Sequence, residues 1–145
     1  MKKIFGIILN IIISSSTMAE SIKPISQLVT QNTKNEKTLE INVRCSMILT
    51  FTVQSYNSYP DKDFNHSHRD QLNKINERLT LYSLKFIEKN FAQAGAVRAA
   101  YSKAMDYWLN YYSSIDDTIR MADFNTCVIF VYREVAPDLP LLPVN

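Results

Sequence analysis

The sequence is short of glycine, with only Gly6 and Gly95 among its 145 residues. Several enzyme motifs need closely spaced glycines, because only glycine lets the backbone turn sharply or approach a phosphate closely. The chain accordingly lacks the G-x-S-x-G nucleophile elbow, the P-loop and the G-x-G-x-x-G fingerprint. It also lacks a C-x-x-C pair, which excludes the thioredoxin-like redox motif. These absences weigh against a catalytic function.

The sequence also lacks an excess of charge outside its first residues. Lysine and arginine number 16 against 14 acidic residues, and Lys2 and Lys3 account for the whole net charge of +2. A nucleic-acid-binding surface needs a positive footprint, and anionic lipid is held by polybasic segments. We therefore predict no nucleic-acid partner and no lasting attachment to an anionic membrane surface.

The first residues resemble an export signal in their order of charge, apolar run and small residues. Lys2 and Lys3 precede the apolar residues 4–13 (IFGIILNIII), and residues 17–19 (TMA) fit a small-x-small cleavage site. The apolar run is too short to span a membrane. We predict a signal peptide over residues 1–19, export to the bacterial periplasm or medium, and no stable membrane insertion after cleavage. The alternative is a retained N-terminal anchor.

Cys45 and Cys127 are the only cysteines. In an oxidising compartment, two cysteines of one small domain usually pair. Closing this long loop would stabilise the fold by about 4 to 5 kcal/mol on the chain-entropy model. We predict a Cys45–Cys127 disulfide; free thiols are the alternative.

Two segments carry apolar residues at steps of three and four, which is typical of amphipathic helices. The first runs from Ser67 to Phe91 and the second from about Ala96 to Ser114. Gly95 lies between them, where it would suit the end of one helix and the turn into the next. We predict an antiparallel helix pair.

The flanking segments are ambiguous. Residues 41–53 alternate apolar and polar side chains, and residues 126–135 are almost continuously apolar, so local pattern alone predicts a β-α-α-β chain. Thirteen residues are long for a strand, two strands form only a marginal sheet, and hairpin dipeptides are missing. We favour an all-α, four-helix-bundle-like domain. Its first helix, near residues 37–56, would be buried on most sides, and its last, near 118–135, would be capped by Asp116 or Asp117.

The remaining organisation follows from composition. Residues 20–35 are polar and predict a loose N-terminal segment, with a short turn near Gln27 to Val29. Residues 36–135 form the single helical domain. Residues 136–145 contain three prolines and predict an extended tail, because proline cannot continue a helix.

Residues 60–70 (PDKDFNHSHRD) contain both histidines of the chain. Asp61, Asp63 and Asn65 match the start of an EF-hand loop, but the required glycine and final glutamate are replaced by His66 and Leu72. His66 and His68, with Asp61 or Asp63, remain candidate ligands for zinc or copper. The spacing of Ser67 and Asp70 also suits the start of a helix.

Aromatic residues concentrate in the segment 101–114. Tyr101, Trp108 and Tyr112 fall on the apolar stripe and predict core packing. Tyr107 falls well away from the stripe and Tyr111 at its edge, and the two residues, four apart, predict a surface contact pair.

Together these observations favour a non-catalytic binding or interaction module of the bacterial envelope, without a cofactor. Its partner would be a protein or another envelope component. The alternatives are a periplasmic metal-binding protein using His66 and His68, and a small cell-wall hydrolase using helix-borne carboxylates. The oligomeric state does not follow from the sequence.

Overall fold

The computed structural model describes residues 22–30, 35–58 and 66–142. In these ranges the chain forms five helices and no strand, which confirms the all-α prediction. Residues 41–53 and 126–135 lie largely in helices, so the β-α-α-β alternative is wrong. The predicted signal peptide lies outside the described residues. Among the helices described, we find none with the length and hydrophobicity of a membrane span. The helices are α1 (Ile25–Thr30), α2 (Asn35–Asn57), α3 (His66–Asn90), α4 (Ala94–Ser114) and α5 (Asp117–Glu134).

Helix α2 is the central helix and contacts all four of the others. From Leu39 to Leu49 every side chain is buried, including those of Glu40, Asn42 and Arg44. A helix enclosed on all sides shows no amphipathic period. The alternation that resembled a strand therefore reflects polar residues placed inside the bundle, as the central-helix interpretation required.

Helices α3 and α4 form the predicted antiparallel pair and turn their apolar stripes inward, with Leu72, Leu79 and Trp108 fully buried. The expected role of Gly95 was wrong. The link between the helices consists of residues 91–93, and Gly95 is the second residue of α4. A Cβ atom added to it would meet nothing within 4 Å. Neither the turn nor close packing therefore requires glycine here.

Helix α5 begins as predicted at an aspartate N-cap. The side chain of Asp116 accepts a hydrogen bond of 2.7 Å from the backbone N–H of Thr118. This hydrogen bond holds the pKa of the Asp116 carboxyl below its usual value. Arg120 fixes the link between α4 and α5, because its guanidinium donates to the backbone carbonyls of Tyr112 and Ile115.

The Cys45–Cys127 disulfide is present, with the two Cα atoms 5.2 Å apart and both residues fully buried. It ties the middle of α2 to the middle of α5, as predicted. The chain between the two cysteines contains the whole α3–α4 pair, so the bond closes a loop around most of the domain.

The two ends of the described chain pack on the bundle. Residues 20–35 were expected to be loose, but Ile25 and Leu28 of α1 are buried against α2 and α5, which corrects that expectation. Their spacing of three residues puts both on one face of a single helical turn. Beyond α5 the chain leaves the helical path as predicted, and the hydroxyl of Tyr132 donates to the carbonyl of Pro140 at 2.9 Å.

Candidate functional site

Among the described residues, a group of buried polar side chains surrounds Arg44, and we call Arg44, Tyr112 and Asp123 the Arg44 cluster. Arg44 donates to the Asp123 carboxylate at 2.9 Å, and the hydroxyl of Tyr112 donates to the same oxygen at 2.8 Å. The guanidinium carbon of Arg44 lies 4.4 Å from the ring centroid of Trp108. The side chains of Arg44 and Asp123 are each only 1% exposed. The cluster therefore joins α2, α4 and α5 inside the core.

The Arg44 cluster also binds the chain before α1. Arg44 donates to the backbone carbonyl of Lys23 at 2.8 Å, and the second oxygen of Asp123 accepts from the backbone N–H of Ile25 at 2.9 Å. Glu40 lies one helical turn before Arg44, with its carboxylate 3.7 Å from the guanidinium. Each charged group thus has a partner, which is the condition for burying charge without a prohibitive desolvation cost.

The electrostatics of the Arg44 cluster fix its protonation. Burial would lower the pKa of Arg44, but Tyr112, Asp123 and Glu40 outweigh it and the pKa is raised. Burial raises the pKa of Tyr112, so its hydroxyl stays protonated and serves as a donor. A catalytic group needs access to substrate and a pKa near the working pH. The buried side chains of the cluster lack that access, and we assign the cluster to stability.

The candidate metal ligands lie at the start of α3. His66 is its first residue and His68 its third, so their side chains leave the helix in different directions. The ring of His68 lies 3.4 Å from the hydroxyl of Tyr56, and burial lowers its pKa. Asp61 and Asp63 lie outside the described residues. Within the described ranges no three histidine, cysteine or acidic side chains form a metal-binding group. Metal binding by His66 and His68 stays a prediction.

The predicted contact pair on α4 is half-buried. Tyr107 and Tyr111 lie on either side of Trp108, each with its ring centroid 5.2 Å from that of Trp108 in an edge-to-face arrangement. Tyr101 and Tyr112 are buried, as predicted for the core stripe. Tyr107 and Tyr111 thus combine packing against the core with partial exposure, and their role as a contact surface stays a prediction.

A second surface feature, which the sequence pattern did not single out, is a candidate site. We call it the aromatic groove. It consists of two adjoining hollows of about 350 and 330 Å³ that share the rings of Tyr82 and Phe86. These rings stack at 6.3 Å with an angle of 25° between their planes. The first hollow is completed by Lys85, Lys89 and Asn90, and the second by Val29, Thr38, Ile41, Phe130, Arg133 and Glu134.

The first hollow of the aromatic groove is cationic. The exposed side chains of Lys85 and Lys89 form no ion pair with any residue in the described ranges. In the second hollow, by contrast, Arg133 pairs with Glu134 at 2.6 Å. Burial, followed by the charge of Glu134, raises the pKa of Tyr82, so its hydroxyl remains a donor. The groove therefore offers flat apolar rings beside two ammonium groups.

The sequence contained a signal for the aromatic groove. Tyr82, Lys85, Phe86 and Lys89 follow one another at steps of three, one and three, which places all four on one side of a helix. Tyr82 and Phe86 also fall on the apolar stripe of the predicted helix from Ser67 to Phe91, which predicts core packing, whereas the structure leaves both half-buried. The Arg44 cluster had no such signal, because its ion pair joins residues far apart in the sequence.

Scans against protein-family models, curated proteins and solved structures found no match to this chain.

Proposed function

We propose that the protein is a non-catalytic binding protein of the bacterial envelope, exported by its first 19 residues, and that the aromatic groove is its ligand site. The observation that carries the proposal is the pairing of stacked rings with two lysines that lack ion-pair partners in the described structure. Aromatic rings provide a flat apolar surface, and ammonium groups attract anions. An acidic saccharide, with a ring face and a carboxylate, fits both properties.

The charge distribution supports the first hollow as the site of the anionic group. Lys85 and Lys89 flank it without an acidic side chain in its lining, while Glu134 makes the second hollow less favourable for an anion. The amide of Asn90 and the hydroxyl of Tyr82 add polar atoms at the same hollow. The sugar ring would then lie against Tyr82 and Phe86, with its carboxylate beside the two ammonium groups.

The proposal is tested by titrating the purified protein with soluble peptidoglycan fragments, which carry sugar rings and carboxylates, and following heat or amide chemical shifts. We expect saturable binding that weakens as salt is added, because exposed charges are screened. Tyr82→Ala and Lys85→Glu should each weaken binding about tenfold or more. Lys74→Glu on the same helix is the matched control, since Lys74 is exposed but does not line the groove.

Two results would contradict the proposal. One is the absence of saturable binding at millimolar fragment concentrations. The other is equal weakening by Lys74→Glu and Lys85→Glu, which would indicate a general charge effect. Export is tested separately by the mass of the protein recovered from a bacterial periplasm, which should begin at Glu20.

A further inference from the structure

The second hollow of the aromatic groove differs in chemical character from the first. The two hollows have similar volumes, about 350 and 330 Å³, and they adjoin at the rings of Tyr82 and Phe86. A ligand whose acidic sugar occupies the first hollow can therefore continue into the second. Its next unit would meet a different surface there, because Lys85 and Lys89 line only the first hollow.

The charges at the second hollow compensate each other. Arg133 donates from its Nε atom to one carboxylate oxygen of Glu134 at 2.6 Å. Because the pair has no net charge, it favours neither an anion nor a cation. The terminal guanidinium nitrogens and the other carboxylate oxygen lie outside this hydrogen bond, and they offer donors and an acceptor to a ligand. The hydroxyl groups of a neutral sugar both donate and accept, so they match this set.

The rest of the second hollow is mainly apolar and comes from several helices. Val29 of α1, Ile41 of α2 and Phe130 of α5 line it together with the two rings of α3. An aromatic ring provides a flat apolar surface, and a few polar groups beside such a surface fix the orientation of a ligand. The second hollow therefore combines an apolar wall with polar groups of no net charge.

Helix α1, which carries Val29, is held on the bundle by the Arg44 cluster. Its six residues are too few to form a stable helix by themselves. The backbone N–H of Ile25 donates to Asp123 at 2.9 Å, and Arg44 donates to the carbonyl of Lys23 at 2.8 Å. We expect α1 to open at a lower free energy than the long helices, since segments with few contacts open first. One wall of the second hollow is therefore its least stable part.

We propose that the second hollow is a subsite for a neutral sugar joined to the acidic sugar of the first hollow, and that α1 closes this subsite through Val29. The inference rests on the proposed function, which places the acidic sugar in the first hollow. The ligand is then at least a disaccharide of one acidic and one neutral unit. A sugar that contacts Val29 binds best while α1 is docked, so docking and binding stabilise each other.

The subsite is tested by titrating the full protein with N-acetylmuramic acid and with the disaccharide that joins it to N-acetylglucosamine. We expect the disaccharide to bind about tenfold or more tightly. The ratio of the two dissociation constants should fall towards one in Phe130→Ala. It should persist in Phe124→Ala, the matched control, because Phe124 is also half-buried on α5 but does not line the hollow. Lys85→Glu should weaken both ligands and keep the ratio.

The outcomes separate the subsite from the proposed function. Equal dissociation constants for the two ligands would overturn the subsite and leave the proposed function standing. An equal fall of the ratio in Phe130→Ala and Phe124→Ala would also overturn it, because the second sugar would then not depend on the second hollow. Absence of binding by both ligands would contradict the proposed function, and the subsite with it. Circular dichroism checks that each variant folds.

Amide hydrogen exchange tests the closure by α1. Without ligand, the amide of Ile25 should exchange faster than that of Cys45 in the middle of α2. The disaccharide at ten times its dissociation constant should slow exchange at Ile25 about tenfold, because it stabilises the docked helix. N-acetylmuramic acid at the same saturation should leave that rate unchanged. Equal exchange of Ile25 and Cys45 without ligand, or equal rates at Ile25 with the two ligands, would overturn the role of α1.

Discussion

Helices α2 and α5 distribute their side chains in opposite ways. Helix α2 buries Glu40, Asn42 and Arg44 in the centre of the bundle, whereas α5 exposes Met121 and Ile129 to solvent. Polar residues inside are compatible with stability when they find partners, and apolar residues outside when another surface covers them. Hydrophobicity alone therefore places neither helix correctly in the fold. Whether a buried polar or an exposed apolar side chain destabilises the fold depends on the groups that it contacts.

The most destabilising substitution that we predict removes the acidic partner of the buried Arg44. Asp123→Ala leaves Arg44 buried without its carboxylate and removes the acceptor of Tyr112 and Ile25. Breaking a buried ion pair in this way costs about 3 to 5 kcal/mol. Urea unfolding, followed by circular dichroism, measures the loss.

Two variants control that experiment. Asp117→Ala changes an exposed aspartate of the same helix and should alter the free energy of unfolding by no more than about 0.5 kcal/mol. Arg44→Met combined with Asp123→Leu removes both charges and should recover most of the stability lost in Asp123→Ala. A double variant as unstable as Asp123→Ala would show that the cluster is needed for more than its charge balance.

The second prediction is that the buried Tyr101 makes the fold less stable at alkaline pH. Burial raises the pKa of Tyr101 to about 12, against about 10 in the unfolded chain. Because the folded-state pKa is the higher one, the stability contribution is complete below pH 10 and is lost as the pH rises towards 12. The full loss is about 3 kcal/mol. Tyr101→Phe should reduce the fall in unfolding free energy between pH 9 and 11.5, and equal falls in the two proteins would contradict this assignment.

A third prediction separates two buried polar residues of α2. Arg44 is fully paired, but neither side-chain polar atom of Asn42 has a hydrogen-bond partner in the described structure. An unsatisfied buried polar group costs about 1 to 3 kcal/mol. Asn42→Leu, which is similar in size, should therefore raise the free energy of unfolding by about that amount. The measurement is chemical denaturation. A lower free energy of unfolding in Asn42→Leu than in the unmodified protein would instead show that the amide has a hydrogen-bond partner.

The smallest change in stability is expected for the exposed apolar residues of α5. Met121→Lys and Ile129→Lys place charges where the side chain already meets water. Each should change the unfolding free energy by about 0.5 kcal/mol or less. Val131→Lys, on the buried side of the same helix, serves as the contrast and should prevent folding or destabilise it severely.

The sequence was most informative where hydrophobic periodicity was clean. Leu72, Leu79 and Trp108 predicted the α3–α4 pair, and Asp116 predicted the start of α5. Helix α2 required an argument about strand length and hairpins, because burial on all sides removed its period. The short helix α1 escaped detection, since Ile25 and Leu28 carry its apolar face within a polar segment.

The candidate sites were harder to predict than the fold. Lys85 and Lys89 resembled ordinary surface lysines, and their relation to Tyr82 and Phe86 emerged only from the half-burial of the rings. The exposure of Ile129 was hidden because residues 127–132 are all apolar, so no residue of that run stood out as external. Pairing between distant residues, such as Arg44 with Asp123, has no local signal in a single sequence.

The attachment of Lys23 and Ile25 to the Arg44 cluster has a practical consequence for handling the protein. If the leader is removed after Ala19, only three residues separate the new amino terminus from Lys23. An affinity tag or fluorescent fusion joined at that end would begin almost against the buried guanidinium and its carboxylate. Labels intended to leave the molecule undisturbed therefore belong beyond Leu142, with a spacer of their own.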